Sequence, residues 1–573
     1  MKILSMRIEN FRSIKQAEIN FNDFTAIVGE NDAGKTAILR ALNAVFHFND
    51  ELPYFNNNNH QYMPKTITKI AITFGDVPSN SIYKNAETMQ LVFKYNYSNS
   101  KRGKSISVIV NDTENAVKDD FLIKLKEDID FVYIPSNRSV QDLKCESETI
   151  LYRVILAYLQ KYTKKRDQLS SQTKRAAETL KRNGLARIDN ELASLKLLSQ
   201  ATKYEFDYAE KIDYTIFLSK VGIKVDDGKI LPVSEHGSGI NSLTVIALYR
   251  LWAMITKKSI ILGIEEPETN LHPQAQKKFI AMLKEKRLIS EVQAIFATHS
   301  PSIVDSLEHE DVVLVRKEKN RSRGFNSLIS QLPRDFWVTC GISSDKKDFF
   351  FKFKNSEFFF SKYVILVEGP CDAKVIEYML KNELGLDMCD VCILNLDGVA
   401  NLKYPLLLLK KLALPYAAIV DKDFLFTYKN ENVTSSRDTN GFPEYSTTVQ
   451  KKYIRIIQEV YQVPTIGVDL QKLSRESYSK LFNYMLQYDI YPMCYCLEID
   501  LMSVEKARQK AYDYLNLNVS ERNSQTVLCK RKKDIKDSQF LLTVLSQLQV
   551  REYPISYKKI KKTLVNNIKN YLH

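Results

Sequence analysis

The sequence predicts an α/β fold in at least two domains, the first interrupted by a helical insertion and the second extended by helical additions. Three observations carry this. The chain has 573 residues, and a single hydrophobic core stops growing at roughly 250 to 300. An apolar strand, a glycine-bearing loop and a helix-forming run follow one another twice, once near residue 28 and again near residue 367. Between the two lies a charged stretch rich in phenylalanine, residues 317–361, which reads as a connector.

The elements follow in order. Ile3, Met6, Ile8, Ile19 and Phe21 alternate with polar residues as strands do, and residues 26–28 form an apolar strand that runs into Gly29. Residues 37–42 have helical spacing, 56–60 read as a turn, and 69–74 and 90–95 read as further strands. Residues 1–157 form the first part of the first domain. Residues 158–211 change to Lys, Arg, Gln, Glu and Ala with Leu159, Leu169, Leu180, Leu185, Leu192 and Leu195 at intervals. That texture predicts a helical insertion, either a solvated hairpin or a dimerisation arm. Residues 212–316 complete the first domain. After the connector, with its runs Phe349-Phe350-Phe351 and Phe358-Phe359-Phe360, residues 362–573 begin a new alternation: strand 363–367, helix near 373–380, strands 391–394 and 416–420. The C-terminal lysines 558, 559, 561 and 562 read as a solvated helix face.

Composition narrows the class. Hydrophobic residues make up 44% and charged residues 26% of the chain, near the averages for soluble globular proteins. No apolar run is expected to span a membrane, and the charged N-terminus lacks a signal peptide's apolar region, so a cytoplasmic protein is expected. The eight cysteines read as reduced thiols. The pairs Cys389/Cys392 and Cys494/Cys496 make poor partners for a closed zinc site. A formal charge of +14 suits a polyanionic partner such as DNA.

Gly29-Glu30-Asn31-Asp32-Ala33-Gly34-Lys35-Thr36 matches the pattern G-x-x-x-x-G-K-[ST] between a strand and a helix. Glycines let backbone N–H groups turn toward phosphate oxygens, Lys35 reaches the terminal phosphates, and the Thr36 hydroxyl ligates Mg²⁺. Downstream, the apolar run 260–264 ends in Glu265-Glu266-Pro267-Glu268. Glu265 is assigned to the hydration shell of the metal and Glu266 to the attacking water. Ser238 and Gly239 open a helix whose free N–H groups suit a γ-phosphate, and His299 follows another apolar strand.

Asn10-Phe11-Arg12-Ser13, the Gly237-Ser238-Gly239 segment, Glu265-Glu266-Pro267-Glu268 with Asn270-Leu271-His272-Pro273, and Thr298-His299-Ser300-Pro301 together resemble ABC ATPases of the RecF and SMC kind. The resemblance covers roughly the first 315 residues apart from the insertion. It implies an ABC-type P-loop ATPase in which ATP is sandwiched between the P-loop of one subunit and the signature segment of another, hence a homodimer or higher homo-oligomer. The signature departs from Leu-Ser-Gly-Gly.

A second set of carboxylates follows the second alternation. Glu368 and Asp372 follow the strand at 363–367, and Asp421 and Asp423 follow the strand at 416–420, so they converge on the sheet edge where α/β folds bind ligands. Such a cluster binds Mg²⁺ or Mn²⁺, with one aspartate of the Asp-x-Asp pair on the metal and the other on a second ion or its waters. With Leu497-Glu498-Ile499-Asp500-Leu501 downstream, the order resembles the Rossmann-like Toprim domain of OLD-family (overcoming lysogenization defect) nucleases, among them Gabija-type and retron-associated defence nucleases. The resemblance implies metal-site roles for Glu368, Asp372, Asp421, Asp423, Glu498 and Asp500. It places the catalytic work on Glu368, Asp421, Asp423 and Glu498, with Glu266 and His299 serving the ATPase. In 396–401 the lysine often found beside Gly398 is missing, and Lys530, Arg531, Lys532 and Lys533 are the candidates for an assisting cation. The function so implied is an ATP-binding or ATP-hydrolysing, metal-dependent DNA endonuclease of anti-phage defence, in a family that includes helicase and retron partners. The alternative is an ATP-dependent DNA-binding clamp with an inactive Toprim fold.

Overall fold

The computed structural model describes residues 1–78, 86–138, 143–146, 149–185, 188, 214–226, 228–256, 258–284, 292–320, 324–343 and 356–572. The chain divides into two compact units, Met1–Leu307 with Val315–Ile329, and Glu308–Leu314 with Ser330–His573.

The first unit is built on two sheets. The strands are β1 (Lys2–Phe11), β2 (Ile14–Asn20), β3 (Phe24–Gly29), β4 (Thr68–Gly75), β5 (Met89–Asn96), β6 (Gly103–Val110), β7 (Thr113–Val117) and β8 (Ile129–Ile134), then the short pair β9 (Lys224–Asp226) and β10 (Ile230–Pro232), then β11 (Ser259–Glu265), β12 (Val292–Ala297), β13 (Val312–Asn320) and β14 (Gly324–Gln331). One sheet is antiparallel in the order β2-β1-β4-β5-β6-β7; its alternating strands bury Ile3, Met6, Ile8, Ile70, Ile72, Leu91 and Phe93 completely. The other has the order β14-β13-β3-β12-β11-β8, and β3, β12, β11 and β8 run parallel. The parallel strands read as unbroken apolar runs because helices cover both faces. Their shared direction brings the ends of β3, β11 and β12 to one edge: Ala297 pairs with Ile27 on one side and with Glu265 on the other.

Helix Ile150–Lys161 begins before the stretch expected as an insertion, 158–211, and runs into it, and helix Thr163–Leu180 and a π-helical turn Lys181–Leu185 follow within it. Leu169 and Leu180 are exposed, and Leu192 and Leu195 lie outside the described residues. The first of these helices packs with Ser238–Thr256 around Leu151, Val154, Val245 and Leu248. One stretch does approach a membrane span in composition: Gly239–Thr256 has mean hydropathy 1.2 over 18 residues. It carries Arg250, which is buried and donates to the Met282 carbonyl oxygen at 2.9 Å, as befits a helix packed within a domain.

The residues expected as a connector, 317–361, include the second half of β13 and all of β14. Phe349, Phe350 and Phe351 lie outside the described residues, and Phe358 and Phe359 are buried in a 3₁₀ turn, Ser356–Phe360. The second unit then carries β15 (Tyr363–Val367), β16 (Val391–Asn395), β17 (Tyr416–Val420), the hairpin strands β18 (Phe426–Tyr428) and β19 (Tyr445–Val449), and β20 (Ile490–Pro492). Its main sheet has the order β16-β15-β17-β20, all parallel. Helices Pro370–Leu384, Leu497–Met502, Glu505–Tyr514, Ser538–Ser546 and Ile555–Leu572 close over it around Val367, Ile376, Leu501, Phe540 and Leu564.

Candidate nucleotide and metal sites

In the first unit the loop after β3 has no room for a side chain at its two glycines. Gly29 has φ +142°, and a Cβ there would fall 1.8 Å from the carbonyl oxygen of Val315 in β13. Gly34 has φ +115°, and its Cβ would fall 2.3 Å from Ser327 Oγ in β14. Helix Lys35–Phe46 starts at that second glycine, so its first N–H groups face the loop. Lys35 is buried, and its ammonium donates to the carbonyl oxygens of Gly29 at 3.0 Å and Glu30 at 2.7 Å. Burial pulls its pKa down to about 8, with Glu266 and Asp32 opposing.

A cavity of about 770 Å³ opens on this loop, lined by Asn31, Asp32, Gly34, Lys35, Thr36, Glu265, Glu266 and His299, together with Arg12 and Arg40. One carboxylate oxygen of Glu265 is buried without a hydrogen-bond partner, the condition of a group awaiting a cation or its water. Glu266 sits in the left-handed region, φ 43°, held by its N–H donating to Ala297 O at 2.7 Å. Glu268 accepts from the Thr298 hydroxyl at 2.8 Å and the His299 N–H at 2.6 Å, which fixes the turn after β12. Burial and the charge of Lys35 lower the pKa of His299, favouring the neutral imidazole. Ser238 opens helix Ser238–Thr256 with its side chain outside the described residues, and Gly239 is not among the residues lining this cavity. Gly239 packs where a Cβ would stand 2.7 Å from Asn270 O.

Sequence reasoning passed over Glu268 and Arg138 as site residues. The Arg138 guanidinium donates to the carbonyl oxygens of Glu265 and Glu266, and its Nε and Nη1 are buried without partners. No motif spacing announces an arginine that works on backbone carbonyls.

In the second unit the ends of β15 and β17 and the start of helix Leu497–Met502 face a cavity of about 440 Å³. Glu368, Asp372, Asp421, Asp423 and Glu498 all line it, as does Gly398. Glu368 Oε1 accepts the Asp421 N–H at 3.0 Å, tying the two strand ends together. Asp372 accepts the Gly369 N–H at 2.8 Å at the start of helix Pro370–Leu384, and Asp423 accepts from the Tyr428 hydroxyl at 3.1 Å. Burial, then the surrounding carboxylates, push Glu368 up to about 7 and Asp372 up to about 6, and raise Asp421 and Asp423 as well. Acidic groups gathered at this cost suit divalent cations. Among the described residues no three such side chains form a group able to hold an ion by themselves. The arrangement fits ions held by one or two carboxylates with water and phosphate oxygens completing the sphere.

Asp500 stands apart from the expected ligand set. It is 1% exposed, its two oxygens accept the N–H groups of Cys494 at 2.9 Å and Tyr495 at 2.8 Å, and it does not line the cavity. It braces the turn that leads to Glu498. The basic side chains at the cavity are Arg437 and Lys536, which were not singled out, and Lys532, one of the four expected. Lys536 lies 3.5 Å from Glu498 Oε1, and that carboxylate is the main reason its pKa rises. It is separated from the run 530–533 by Asp534 and Ile535, so charge density along the chain did not reveal it.

The AAA ATPase domain model matches residues 1–169 and 109–304, together more than half of the chain. The TOPRIM domain of overcoming lysogenization defect protein-like sequences matches residues 359–423. The chain is similar to the OLD nuclease of Thermus scotoductus, 23% identical over 444 residues, covering 73% of this chain and 81% of the relative. It is similar to the Old nuclease of Escherichia phage P2, 23% identical over 479 residues, covering 74% and 78%. Endonuclease GajA of Bacillus cereus (strain HuB5-5) is 27% identical over 219 residues, covering 34% of this chain and 31% of the relative.

Proposed function

Because the chain belongs to the AAA ATPase domain family and continues into an OLD-like TOPRIM domain, we propose that it is a divalent-metal-dependent DNA endonuclease governed by ATP. The observation that carries this reading is the sharing of one cavity by five carboxylates and by Lys532 and Lys536.

Bound Mg²⁺ or Mn²⁺ would supply Lewis acidity and a water acidified for attack on phosphorus. Glu368, Asp421, Asp423 and Glu498 are the residues to hold such ions, with Asp372 fixing the loop from which Glu368 projects. Lys536 and Lys532 draw the DNA phosphate into a pocket that its carboxylates would otherwise repel. In the first unit the loop 29–36 binds the ATP phosphates, Thr36 and Glu265 hold the accompanying Mg²⁺, Glu266 orients the attacking water, and His299 contacts the γ-phosphate. Gly239 lies outside its own subunit's cavity, which fits a homodimer or higher homo-oligomer in which Ser238 and Gly239 would face a second copy's loop. The helices of the 158–211 stretch serve as the dimerisation arm in this reading. A cytoplasmic role in anti-phage defence, with a helicase or a retron reverse transcriptase and its DNA as partner, extends the reading along the family resemblance.

The test is nicking of supercoiled plasmid with Mg²⁺ or Mn²⁺, with and without ATP. Asp421→Asn is expected to abolish nicking while nucleotide binding persists. Undiminished nicking by that variant would remove the second unit from the chemistry and leave the DNA-binding clamp.

A further inference from the structure

The cavity of the second unit has a wall that phosphodiester hydrolysis does not require. Hairpin β18–β19 and the loop joining its strands contribute Tyr428, Val433, Arg437, Pro443 and Tyr445 to the same cavity as the carboxylates. Tyr428 and Tyr445 stack at 5.0 Å with planes 28° apart. Behind them Tyr495 lies 6.4 Å from Tyr445 and Phe442 lies 5.6 Å from Tyr495. The Lys422 ammonium sits 5.0 Å above the Tyr445 ring and 5.6 Å above Tyr495. Phe442 and Tyr495 thus pack the back of the wall, while both stacked tyrosines reach the cavity.

The wall is fixed. Tyr428 is tethered to the metal-site carboxylate Asp423 through its hydroxyl. In the joining loop Asp438 accepts the N–H groups of Asn440 and Phe442, both at 2.8 Å, and Arg437 donates to Gly441 O. Gly441, at φ +86°, is docked so closely that a Cβ would stand 3.2 Å from both Cys529 Sγ and Gln525 Cα. Those two residues begin the segment that carries Lys532 and Lys536, so the aromatic wall and the basic side chains are held as one piece.

An aromatic face offers little to a phosphate and much to a nucleobase, and a base inside a duplex has both faces and its pairing edge already engaged. We propose that the ring of Tyr428, backed by Tyr445 and with Arg437 beside it, forms a subsite for one unpaired nucleobase next to the phosphate to be cut, so that the site takes single-stranded DNA or DNA opened at the cut. This rests on the nuclease reading above. Stacking on a tyrosine tolerates any base, so the subsite selects for strandedness and not for sequence.

The experiment uses the full chain and a set of single-stranded oligonucleotides of one sequence, each with an abasic residue at a different position, beside the intact strand and its duplex. Expected is a KM raised roughly tenfold when the abasic residue stands at one position beside the cut, with kcat little changed, and a duplex cut less efficiently than the strand. Tyr445→Leu raises KM for the intact strand and becomes insensitive to the abasic position, whereas Tyr445→Phe keeps the wild-type pattern. Equal KM for the intact strand and for every abasic strand with the wild-type protein would overturn the subsite while leaving the nuclease reading in place. Failure to cut any DNA would overturn both.

Discussion

At the scale of single residues the two units ask for different chemistry from their charges. Lys35 spends its hydrogen bonds on the loop's own carbonyls, so ATP must offer better acceptors to recruit it. Charge-assisted bonds of this kind contribute about 1.5–3 kcal/mol. Lys35→Ala is therefore expected to weaken ATP binding by roughly ten- to a hundredfold, read by titration with a fluorescent nucleotide. Glu266→Gln keeps the shape of the side chain and removes the charge that the proposed site uses to orient water; ATP should bind as in the parent while hydrolysis falls by about 10² to 10⁴. Asp500, by contrast, is a brace. Asp500→Ala leaves two part-buried N–H groups, of Cys494 and Tyr495, without their acceptor. A loss of about 2–4 kcal/mol in the unfolding free energy is expected, measured with urea. If Asp500→Ala instead loses nicking at unchanged stability, the residue acts on the metal after all.

At the scale of elements, buried polar contacts decide how helices meet the sheets. Helices Lys35–Phe46 and Phe48–Asn56 are joined through Glu51, 2% exposed, which accepts from Asn43 at 2.9 Å, Arg40 at 3.2 Å and His60 at 2.8 Å. Burial pushes the Glu51 carboxyl up, but the hydrogen bonds from His60 and Asn43 and the charge of Arg40 outweigh it and leave the carboxyl below its usual value. A carboxyl lower in the folded than in the unfolded chain stabilises the fold above about pH 4.3, and that stabilisation is lost as pH falls through the folded value. Glu51→Gln should therefore cost about 1–3 kcal/mol at pH 7 and progressively less below pH 4, compared by denaturation at both pH values. Retention of the full difference at low pH would assign the cost to shape alone.

At the scale of the whole molecule, strand–loop–helix order was legible wherever the strands are parallel and buried, since apolar runs ending in glycine or a carboxylate mark sheet edges without knowledge of partners. That is why Asn31, Asp32, Gly34, Lys35, Thr36, Glu265, Glu266, His299, Glu368 and Asp421 could be named in advance and are found around two cavities. Contacts made in three dimensions were not legible. Alternation could not separate Glu498, which faces the cavity, from Asp500, which turns to the backbone two residues later. The charges of Lys317, Glu318 and Lys319 made β13 look like a linker. Mutations in the second cavity should stop DNA cutting while ATP binding, read by nucleotide titration, persists, since each cavity is lined by residues of one unit only.

The crowding of Gly29 by Val315 and of Gly34 by Ser327 means that the curvature of the phosphate loop is cast on a mould supplied about 290 residues later in the chain. A fragment ending at residue 304 would possess every nucleotide motif and still lack the surface that shapes them. Such a fragment should bind ATP far more weakly than one extended to residue 331, and comparable binding by the two would show that the loop holds its form unaided.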